Sequence, residues 1–368
     1  MENVMGIING NERKELLREI TGHRPLAAIP FAGRYRIIDF ILSGMVNSGI
    51  QNVGILVRDP YRSLMDHLRS GKEWDLARKR DGLFILPPSS AAKIGDTGDI
   101  ENLVHNLDYI TSSRQQYVLL TGSSLVCNIN YRKVFQFHLQ SNADITMLYK
   151  EEEGVEPGYR TVLTCRKDGR VTGIAVNPPS AVTGKLSLGM CLMAKKLLVE
   201  LSVGCKSRGG QDLLQDGLIR NLDRLHIYGY PYKGYLARID SIANYYRHNM
   251  ELLNPEKRQE LFFKSGLVYT KVKDGAPAKY KASASVVNAM ITNGCVIAGR
   301  VENSLLFRDV TIHFGACVKD SIIMQKGSIG ENAVLENVIC DKDVTITAGK
   351  RLKGKQSVPL VIAKGTVI

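Results

Sequence analysis

Short apolar segments alternate with longer polar or amphipathic ones in the first two thirds of the chain. The segments VMGIING, QNVGILV, YVLLTGSSLV and DITMLYK have strand length, and polar or helix-forming sequence follows them. Strands that alternate with helices predict an α/β fold with a mostly parallel sheet and helices on both faces. Ligands bind at the carboxyl ends of the strands in such sheets. We therefore expect the chemistry in the loops after Ile8, Val57 and Leu120.

A different pattern, with a period of six residues, begins near residue 285. Every sixth residue from Ala298 to Ile346 is small or apolar, and a second apolar row runs beside part of it at Ile323, Ile329 and Leu335. The nine positions of the first row are Ala298, Ser304, Val310, Ala316, Ile322, Ser328, Val334, Cys340 and Ile346. This period is typical of a left-handed parallel β-helix built from hexapeptide repeats. Nine consecutive matches disfavour the alternative, a series of ordinary short strands.

The change of period divides the 368 residues into three predicted parts. Residues 1–253 form the α/β domain. Residues 254–284 form a linker, because Asn254-Pro255 breaks the preceding helix and the stretch KDGAPAKYKASAS is small, polar and basic. Residues 285–368 form the β-helix, with about four or five coils at three hexapeptides per coil.

Composition narrows the function classes. The formal net charge is +13, from 49 Lys and Arg against 36 Asp and Glu, which indicates either an anionic partner or a basic solvated surface. The seven scattered cysteines predict reduced thiols. No stretch reaches the roughly 18 apolar residues of a membrane span, and no secretory signal or nucleic-acid-binding motif is recognisable. We expect a cytoplasmic protein with neither a membrane nor a nucleic-acid partner.

One motif of the α/β domain is long and specific. The segment Phe31-Ala-Gly-Arg-Tyr-Arg-Ile-Ile-Asp-Phe40, continuing to Asn47-Ser-Gly-Ile50, resembles the N-terminal signature of bacterial glucose-1-phosphate adenylyltransferases, the ADP-glucose pyrophosphorylases of glycogen synthesis. Weaker similarity extends over nearly the whole chain. The resemblance implies a nucleotidyltransferase domain (Rossmann-like, GT-A type) followed by a left-handed β-helix, and usually a tetramer.

The resemblance also implies a reaction whose requirements this sequence lacks. Joining ATP to glucose 1-phosphate needs a backbone loop for the triphosphate, cations, and carboxylates for magnesium. The family's Gly-Gly-x-Gly-x-Arg-Leu loop corresponds here to Asn9–Leu16, where Gly10 remains, Asn11 follows it, and two glutamates add negative charge. Leu26 replaces the Lys of the family's Arg-Ala-Lys-Pro.

Three further slots of the family pattern have changed. Ser123 stands in place of a magnesium-binding Asp, Asn177 in place of the sugar-phosphate Lys, and Arg238 in place of a second metal-binding Asp. Asp240 would rescue the second metal position if the register slipped, but Ser123 would still be neutral. We expect no catalytic residues and no magnesium cofactor in this degenerate site.

Arginines near the retained signature are candidates for an anion or effector site. Arg24, Arg34 and Arg36 cluster there, and a guanidinium presents a planar fork that suits phosphate or sulfate. The alternative is that Arg34 and Arg36 pair with carboxylates such as Asp39 and organise the fold. We favour the structural role for Arg36 and regard Arg24 as the better ligand candidate.

The pattern of losses is similar to that of the family's non-catalytic glycogen biosynthesis subunit. It implies a regulatory or scaffold subunit that assembles with a catalytic ADP-glucose pyrophosphorylase subunit, as a heterotetramer. The arginine cluster adds a phosphate-bearing effector as a candidate partner. The alternative is a divergent but active sugar nucleotidyltransferase with an unrecognised metal site. An acyltransferase ranks last, because the short β-helix contains only His313.

Overall fold

The computed structural model describes residues 1–10, 15–88, 98–155, 160–179 and 182–368. Its first part is an α/β domain with strands of the following bounds: β1 Val4–Asn9, β2 Pro30–Phe31, β3 Tyr35–Arg36, β4 Asn52–Leu56, β5 Gly82–Leu86, β6 Tyr117–Gly122, β7 Leu125–Cys127, β8 Ile145–Val155, β9 Thr161–Cys165, β10 Val171–Val176, β11 Val182–Ala194, β12 Ile227–Pro231 and β13 Leu236–Arg238. The α-helices are α1 Arg18–Thr21, α2 Ile37–Asn47, α3 Arg62–Leu68, α4 Ile100–His105, α5 Leu107–Ser112, α6 Tyr131–Gln140, α7 Lys195–Ser207, α8 Ile242–Glu251 and α9 Pro255–Phe263. A π-helical turn at Leu213–Leu218 and short 3₁₀ turns complete the domain.

The centre of the main sheet is parallel. Strand β1 lies between β4 and β6, and β5 continues the parallel order beyond β4. Strand β11 pairs antiparallel to β6 and to β8, and the hairpin β9–β10 extends the sheet beyond β11. Because β1 and β6 are parallel and in register, with Asn9 opposite Gly122, the residues that follow them lie at one edge of the sheet.

Both faces of the sheet are covered, as apolar strands require. Successive side chains of a strand point to opposite faces, and in β1 the pair Val4 and Ile8 joins one apolar cluster while Met5 and Ile7 join another. Helices flank both clusters. The predicted fold class, a mostly parallel nucleotidyltransferase sheet followed by a parallel β-helix, is therefore confirmed.

The segment predicted as a linker begins with a helix. The side chain of Asn254 accepts hydrogen bonds from the backbone N–H groups of Glu256 and Lys257, and Pro255 occupies the first turn of α9. A capping asparagine followed by proline favours a helix start. The sequence predicts that the helix ends at Asn254-Pro255. Helix α8 does end before this pair, but a second helix, α9, begins there, and the extended part of the connection comes after Phe263.

The β-helix strands pair in parallel from coil to coil. Their bounds are β14 Lys279–Tyr280, β15 Ser285–Ile291, β16 Val296–Ile297, β17 Arg300–Leu306, β18 Thr311–Ile312, β19 Cys317–Lys319, β20 Ile322–Ile323, β21 Ser328–Ile329, β22 Val334–Glu336, β23 Val338–Cys340, β24 Thr345–Ile346, β25 Arg351–Lys353 and β26 Leu360–Ile362. The register joins Ile312 to Ile329 and Ile329 to Ile346, so these coils step by 17 residues rather than 18.

The 17-residue coil corrects the strict six-residue row. Ala298, Ser328 and Val334 of that row are only partly buried. The fully buried row advances by six, six and then five residues: Leu306, Ile312, Val318, Ile323, Ile329, Leu335, Cys340 and Ile346. One side of each coil is one residue shorter than the other two, so a strict step of six residues gradually leaves the positions that point inward. The fold that the six-residue period predicts is nevertheless correct.

The two domains share an apolar core. Residues from α2, α8 and α9 pack in one cluster with Leu305, Phe307, Ile322, Met324 and Ile339 of the β-helix. Burial of apolar surface stabilises by roughly 25 cal/mol per Å², so this shared cluster favours a fixed arrangement of the two domains. The same cluster contains Leu26, which also lines the cleft described below.

Candidate functional site

A cleft with a volume of about 1590 Å³ opens beside the carboxyl ends of the central strands. Three of the degenerate slots line it: Leu26, Asn177 and Arg238. Ser123 directly precedes Ser124, another lining residue, and Gly10 follows β1 at the neighbouring strand end. Asn11 lies outside the described residues. Gly10 and Ser123 follow neighbouring parallel strands, as expected for such a fold. Leu26, Asn177 and Arg238 reach the same region from a 3₁₀ turn, the end of β10 and β13.

Gly10 has a packing reason to be glycine. Its backbone N–H donates to the carbonyl oxygen of Leu56 at 2.8 Å, and a Cβ atom at this position would lie 2.8 Å from the same oxygen. Any other side chain would need the backbone to shift. The single glycine that survives from the family's loop is thus required by β1 and β4 themselves.

Leu26 and Ser123 are both buried. Leu26 is 3% exposed and packs in the core shared by the two domains, so its position now serves packing rather than a phosphate. Ser123 is 1% exposed at the end of β6. A neutral hydroxyl there does not provide the charged oxygen ligand that a hard divalent cation prefers.

Asn177 directly follows β10 and extends the pairing of β9 and β10 at the open end of their hairpin. It has a left-handed backbone conformation, with φ of 51°, which asparagine tolerates better than most residues. Its N–H donates to the carbonyl of Arg160 at 2.7 Å, and its Oδ1 accepts from the N–H of Arg160 at 3.2 Å. The amide therefore fixes Arg160 at the wall of the cleft.

Two ion pairs join the walls of the cleft. Nη2 of Arg238 lies 3.4 Å from Oε1 of Glu152 on β8, and Nη1 of Arg160 lies 2.7 Å from Oδ2 of Asp240. The other oxygen of Asp240 accepts from Nδ2 of Asn244 at 2.5 Å. These four charged side chains are 14–29% exposed, and at such partial burial screening by solvent is incomplete. Both carboxylates are thus already paired with guanidinium groups.

This arrangement does not fit a magnesium ion. Two carboxylates of the site are paired with guanidinium groups, a further cation is repelled by Arg238 and Arg160, and Ser123 supplies no charge. Within the part of the chain that the structure describes, no group of three or more His, Cys, Asp or Glu side chains is placed to hold a metal. Burial lowers the pKa of the Arg238 guanidinium, with Arg160 acting in the same direction and Glu152 and Asp240 opposing it.

Arg24, the preferred ligand candidate, lies at the domain interface. It is 3% exposed, and its Nη2 donates to Oδ1 and Oδ2 of Asp341 at 2.9 and 2.7 Å. Asp341 follows β23 of the β-helix and is 2% exposed. Arg24 therefore links the two domains, and an anion that used this guanidinium would have to compete with a buried carboxylate.

The other two arginines have different surroundings. The backbone N–H of Arg36 donates to Oδ2 of Asp39 at 2.9 Å at the start of α2, and its Nη1 donates to the carbonyl of Ser63 at 2.6 Å. The second oxygen of Asp39 lies 2.6 Å from Nε2 of His67. Arg34 stacks on the ring of Tyr35, 5.2 Å from its centroid. Of these two arginines, Arg36 contacts Asp39, and it does so through its backbone N–H.

Further cations surround Arg36 where the domains meet. We call Arg36, Lys271, Lys273, Arg308 and Lys342 the interdomain cation cluster. Burial lowers the pKa of Lys342 to about 7, and Arg36, Arg24 and Lys273 add to the effect while Asp341 opposes it. Burial likewise lowers the pKa of Arg36 to about 10. None of the five makes an ion pair within 4.0 Å with a described carboxylate, although Asp39, Asp66, Asp309 and Asp341 act on them electrostatically. The cluster is therefore rich in positive charge.

Several partners at these sites were not predicted from the sequence. Neither Glu152 nor Arg160 was predicted as a site residue. A partly buried Arg needs a counter-charge, and the run of three glutamates that contains Glu152 could have indicated one. Asp341 lies 317 residues from Arg24, and no local signal connects the two. His67, which was likewise not predicted, is 5% exposed, and its Nε2 lies 2.6 Å from Oδ1 of Asp39.

Comparison with known proteins agrees with this architecture. The pattern of the nucleotidyl transferase family matches residues 15–207, and that of the GlmU-like C-terminal hexapeptide matches residues 276–355. A glucose-1-phosphate adenylyltransferase of Bacillus mycoides is 30% identical over 358 residues, which cover 95% of both chains. The chain belongs to the glucose-1-phosphate adenylyltransferase family.

Within this family, relatives of another kind show greater identity. The glycogen biosynthesis protein GlgD of Bacillus subtilis is 40% identical over 365 residues, covering 99% of this chain and 96% of that protein. The GlgD protein of Geobacillus stearothermophilus is 42% identical over 367 residues, covering 99% and 97%. The chain is thus a full-length relative of glycogen biosynthesis proteins. None of the helices in the described residues is long and apolar enough to cross a membrane.

Proposed function

We propose that this protein is a non-catalytic regulatory or scaffold subunit of a hetero-oligomeric glucose-1-phosphate adenylyltransferase in glycogen biosynthesis. The observation that carries the proposal is the ion pair of Arg238 with Glu152, which puts a guanidinium where the family has a metal-binding carboxylate. Residues that act as a unit fail together, and Leu26, Ser123 and Asn177 are changed as well. The greater identity with the two GlgD proteins supports the same function.

The alternative is an active nucleotidyltransferase that binds its metal through other residues. It would need a carboxylate set to replace the lost one, and Asp240, the nearest candidate, is paired with Arg160. We accordingly assign no magnesium cofactor to the chain. The proposed partner is the catalytic ADP-glucose pyrophosphorylase subunit, in a heterotetramer located in the cytoplasm, with no role for nucleic acid or membranes.

A rate assay tests this function. The purified chain, given ATP, glucose 1-phosphate and magnesium, should produce no ADP-glucose. Added to the glucose-1-phosphate adenylyltransferase of the same organism, it should form a complex and change the rate or the substrate dependence of that enzyme. Turnover by the isolated chain that EDTA abolishes would favour the alternative.

The interdomain cation cluster supports a second, regulatory function of the same subunit. We propose that a phosphate-bearing effector binds there, at Arg36 and the other cations of the cluster, with Arg34 beside Arg308, rather than through Arg24 alone. Cations that form no ion pair with a described carboxylate favour an oxyanion electrostatically. The buried pair of Arg24 and Asp341 adjoins the cluster, and Leu26 lies two residues from Arg24 in the cleft wall. An anion bound here would therefore act next to both the domain interface and the cleft.

Sulfate binding should depend on pH through Lys342. A bound dianion favours the charged amine, so binding takes up a proton wherever the free protein holds Lys342 partly neutral, which is above its folded pKa of about 7. The thermal shift caused by sulfate should therefore be larger at pH 6.5 than at pH 8.5, because the charge of sulfate is constant over this range. Differential scanning fluorimetry measures this, with sodium chloride of equal ionic strength as the control.

The variant Lys342→Met should lose most of this pH dependence. The pKa of Lys342 is about 7 in the folded chain and about 10.4 in the unfolded chain. Below about pH 7 the folded state therefore bears the full cost of a desolvated charged amine, and this cost decreases as the pH rises towards 10. Stability of the wild type without sulfate should consequently rise from pH 7 towards 10 relative to Lys342→Met. A sulfate shift that is equal at both pH values, or unchanged in the variant, would count against the site.

A further inference from the structure

Several large apolar side chains are exposed where the α/β domain connects to the β-helix. Phe263 ends α9, and Leu267, Tyr269 and Val272 follow it, each 37–71% exposed. Isolated exposed apolar residues are normal, but a concentration of them in one segment indicates a contact with another molecule. The segment 264–273 is called the strap below.

Alternating burial orients the strap. Val268 and Thr270 are buried, at 8% and 7% exposure, while Leu267 and Tyr269 between and beside them are exposed. In an extended chain successive side chains point in opposite directions. Leu267 and Tyr269 therefore share an outward face.

Side chains of α2 hold the strap in place. Nδ2 of Asn47 donates to the carbonyl of Leu267 at 2.9 Å, and the N–H of Tyr269 donates to Oγ of Ser43 at 2.8 Å. Nδ2 of Asn128 donates to the carbonyl of Gly266 at 2.8 Å. The outward face is thus presented by an anchored segment, which reduces the entropy that a partner must overcome on binding.

The charge of the strap and the residues after it distinguishes between two candidate partners for the outward face, a second copy of this chain and an acidic protein. From residue 264 to 281 the chain has five lysines and one acidic residue, Asp274. Burial lowers the pKa of Lys271, and the nearby Arg69 and Lys273 lower it further. A symmetric dimer places the same patch opposite itself, so a second copy would add like charge to like, in a chain whose net charge is already +13. An acidic partner offers the complementary charge.

We propose that the outward face of the strap, formed by Leu267 and Tyr269, binds an acidic protein chain. Resting on the proposed function, we take that chain to be the catalytic subunit of the adenylyltransferase. The apolar side chains then supply the buried centre of the contact and the lysines its charged rim, the usual anatomy of a protein interface.

Binding between the purified chain and the catalytic subunit tests the surface. The variant Leu267→Ser/Tyr269→Ser should raise Kd at least about tenfold, because apolar and aromatic anchors dominate interface energetics. The matched control is Leu139→Ser on α6, where the replaced side chain is similarly exposed at 51%, and its Kd should not change. Kd should increase between 50 and 300 mM NaCl, and less steeply in Lys264→Glu/Lys279→Glu.

Each outcome decides the proposal. Wild-type binding that the strap variant leaves intact would overturn the surface while the proposed function stands. Wild-type protein that does not bind the catalytic subunit would overturn the proposed function and this inference with it. A homodimer, seen by light scattering and lost in Leu267→Ser/Tyr269→Ser, would assign the strap to a second copy and overturn the acidic partner. Circular dichroism and melting temperature verify that each variant is folded.

Discussion

Replacing Arg24 by methionine should lower the free energy of unfolding by about 3–5 kcal/mol, because it leaves the buried carboxylate of Asp341 without its partner. Both side chains are at most 3% exposed, and two hydrogen bonds join them across the domain interface. Asp341→Asn should be comparably costly, since the guanidinium then loses its counter-charge. Denaturant titration followed by fluorescence and circular dichroism measures both.

The double variant Arg24→Met/Asp341→Leu separates charge from packing. Replacement of a whole buried ion pair by apolar residues is often neutral or stabilising, so this variant should recover most of the loss. Unchanged stability of Arg24→Met would contradict an interdomain role for the pair. Arg18→Met, on the exposed side of α1, is the control and should have little effect.

Restoring both lost carboxylates should create a magnesium dependence that the wild type lacks. Strand β13 pairs with β7, and the N–H of Ile239 donates to the carbonyl of Ser124 at 2.9 Å, so positions 123 and 238 lie close together. In Ser123→Asp/Arg238→Asp the new carboxylates join those of Glu152 and Asp240. Without a metal, mutual repulsion should destabilise the variant.

Magnesium should then raise the melting temperature of that double variant by several degrees at 10 mM. Ligand binding stabilises by about 2.7 kcal/mol at a hundredfold excess over Kd, and 1 kcal/mol corresponds to roughly 2–4 °C for a domain of 150–250 residues. Neither the wild type nor Ser123→Asp alone should respond more than to potassium chloride of equal ionic strength. Catalysis should stay absent, because Leu26 and Asn177 still replace lysines. A magnesium shift of equal size in the wild type would contradict the assignment of a lost metal site.

The sequence predicts the architecture because both periods are local. Alternating strands and helices indicate the parallel sheet, and the six-residue repeat indicates the β-helix, even though the 17-residue coil moves the buried row to Ile312, Ile329 and Ile346. The degenerate slots could be identified one by one, because each is a change of residue type within a motif. Parallel pairing of β1 and β6 explains why Gly10 and Ser123 lie at one edge of the sheet, whereas Leu26, Asn177 and Arg238 reach the cleft from a 3₁₀ turn, the end of β10 and β13.

Partners far apart in sequence could not be predicted in the same way. Arg24 was interpreted as a ligand, and nothing near it in sequence indicates Asp341. The charge reversal at Arg238 is a prediction from the family resemblance, whereas the pairing of Arg238 with Glu152 depends on how β8 and β13 are placed in three dimensions. The net charge of +13 leaves an anionic partner and a basic solvated surface as its two interpretations. The cation cluster and the strap, which share Lys271 and Lys273, are where we propose that anionic partners bind.

The production of ADP-glucose by a fixed amount of catalytic subunit, titrated with this chain, tests the central claim most directly. The chain alone should give no product. In the mixture the rate or the substrate dependence should change and then become constant at a definite ratio of the two subunits, with Leu267→Ser/Tyr269→Ser requiring at least about tenfold more protein. EDTA-sensitive product from the chain alone, or a rate that never changes while no complex forms, would contradict a non-catalytic subunit that regulates its partner.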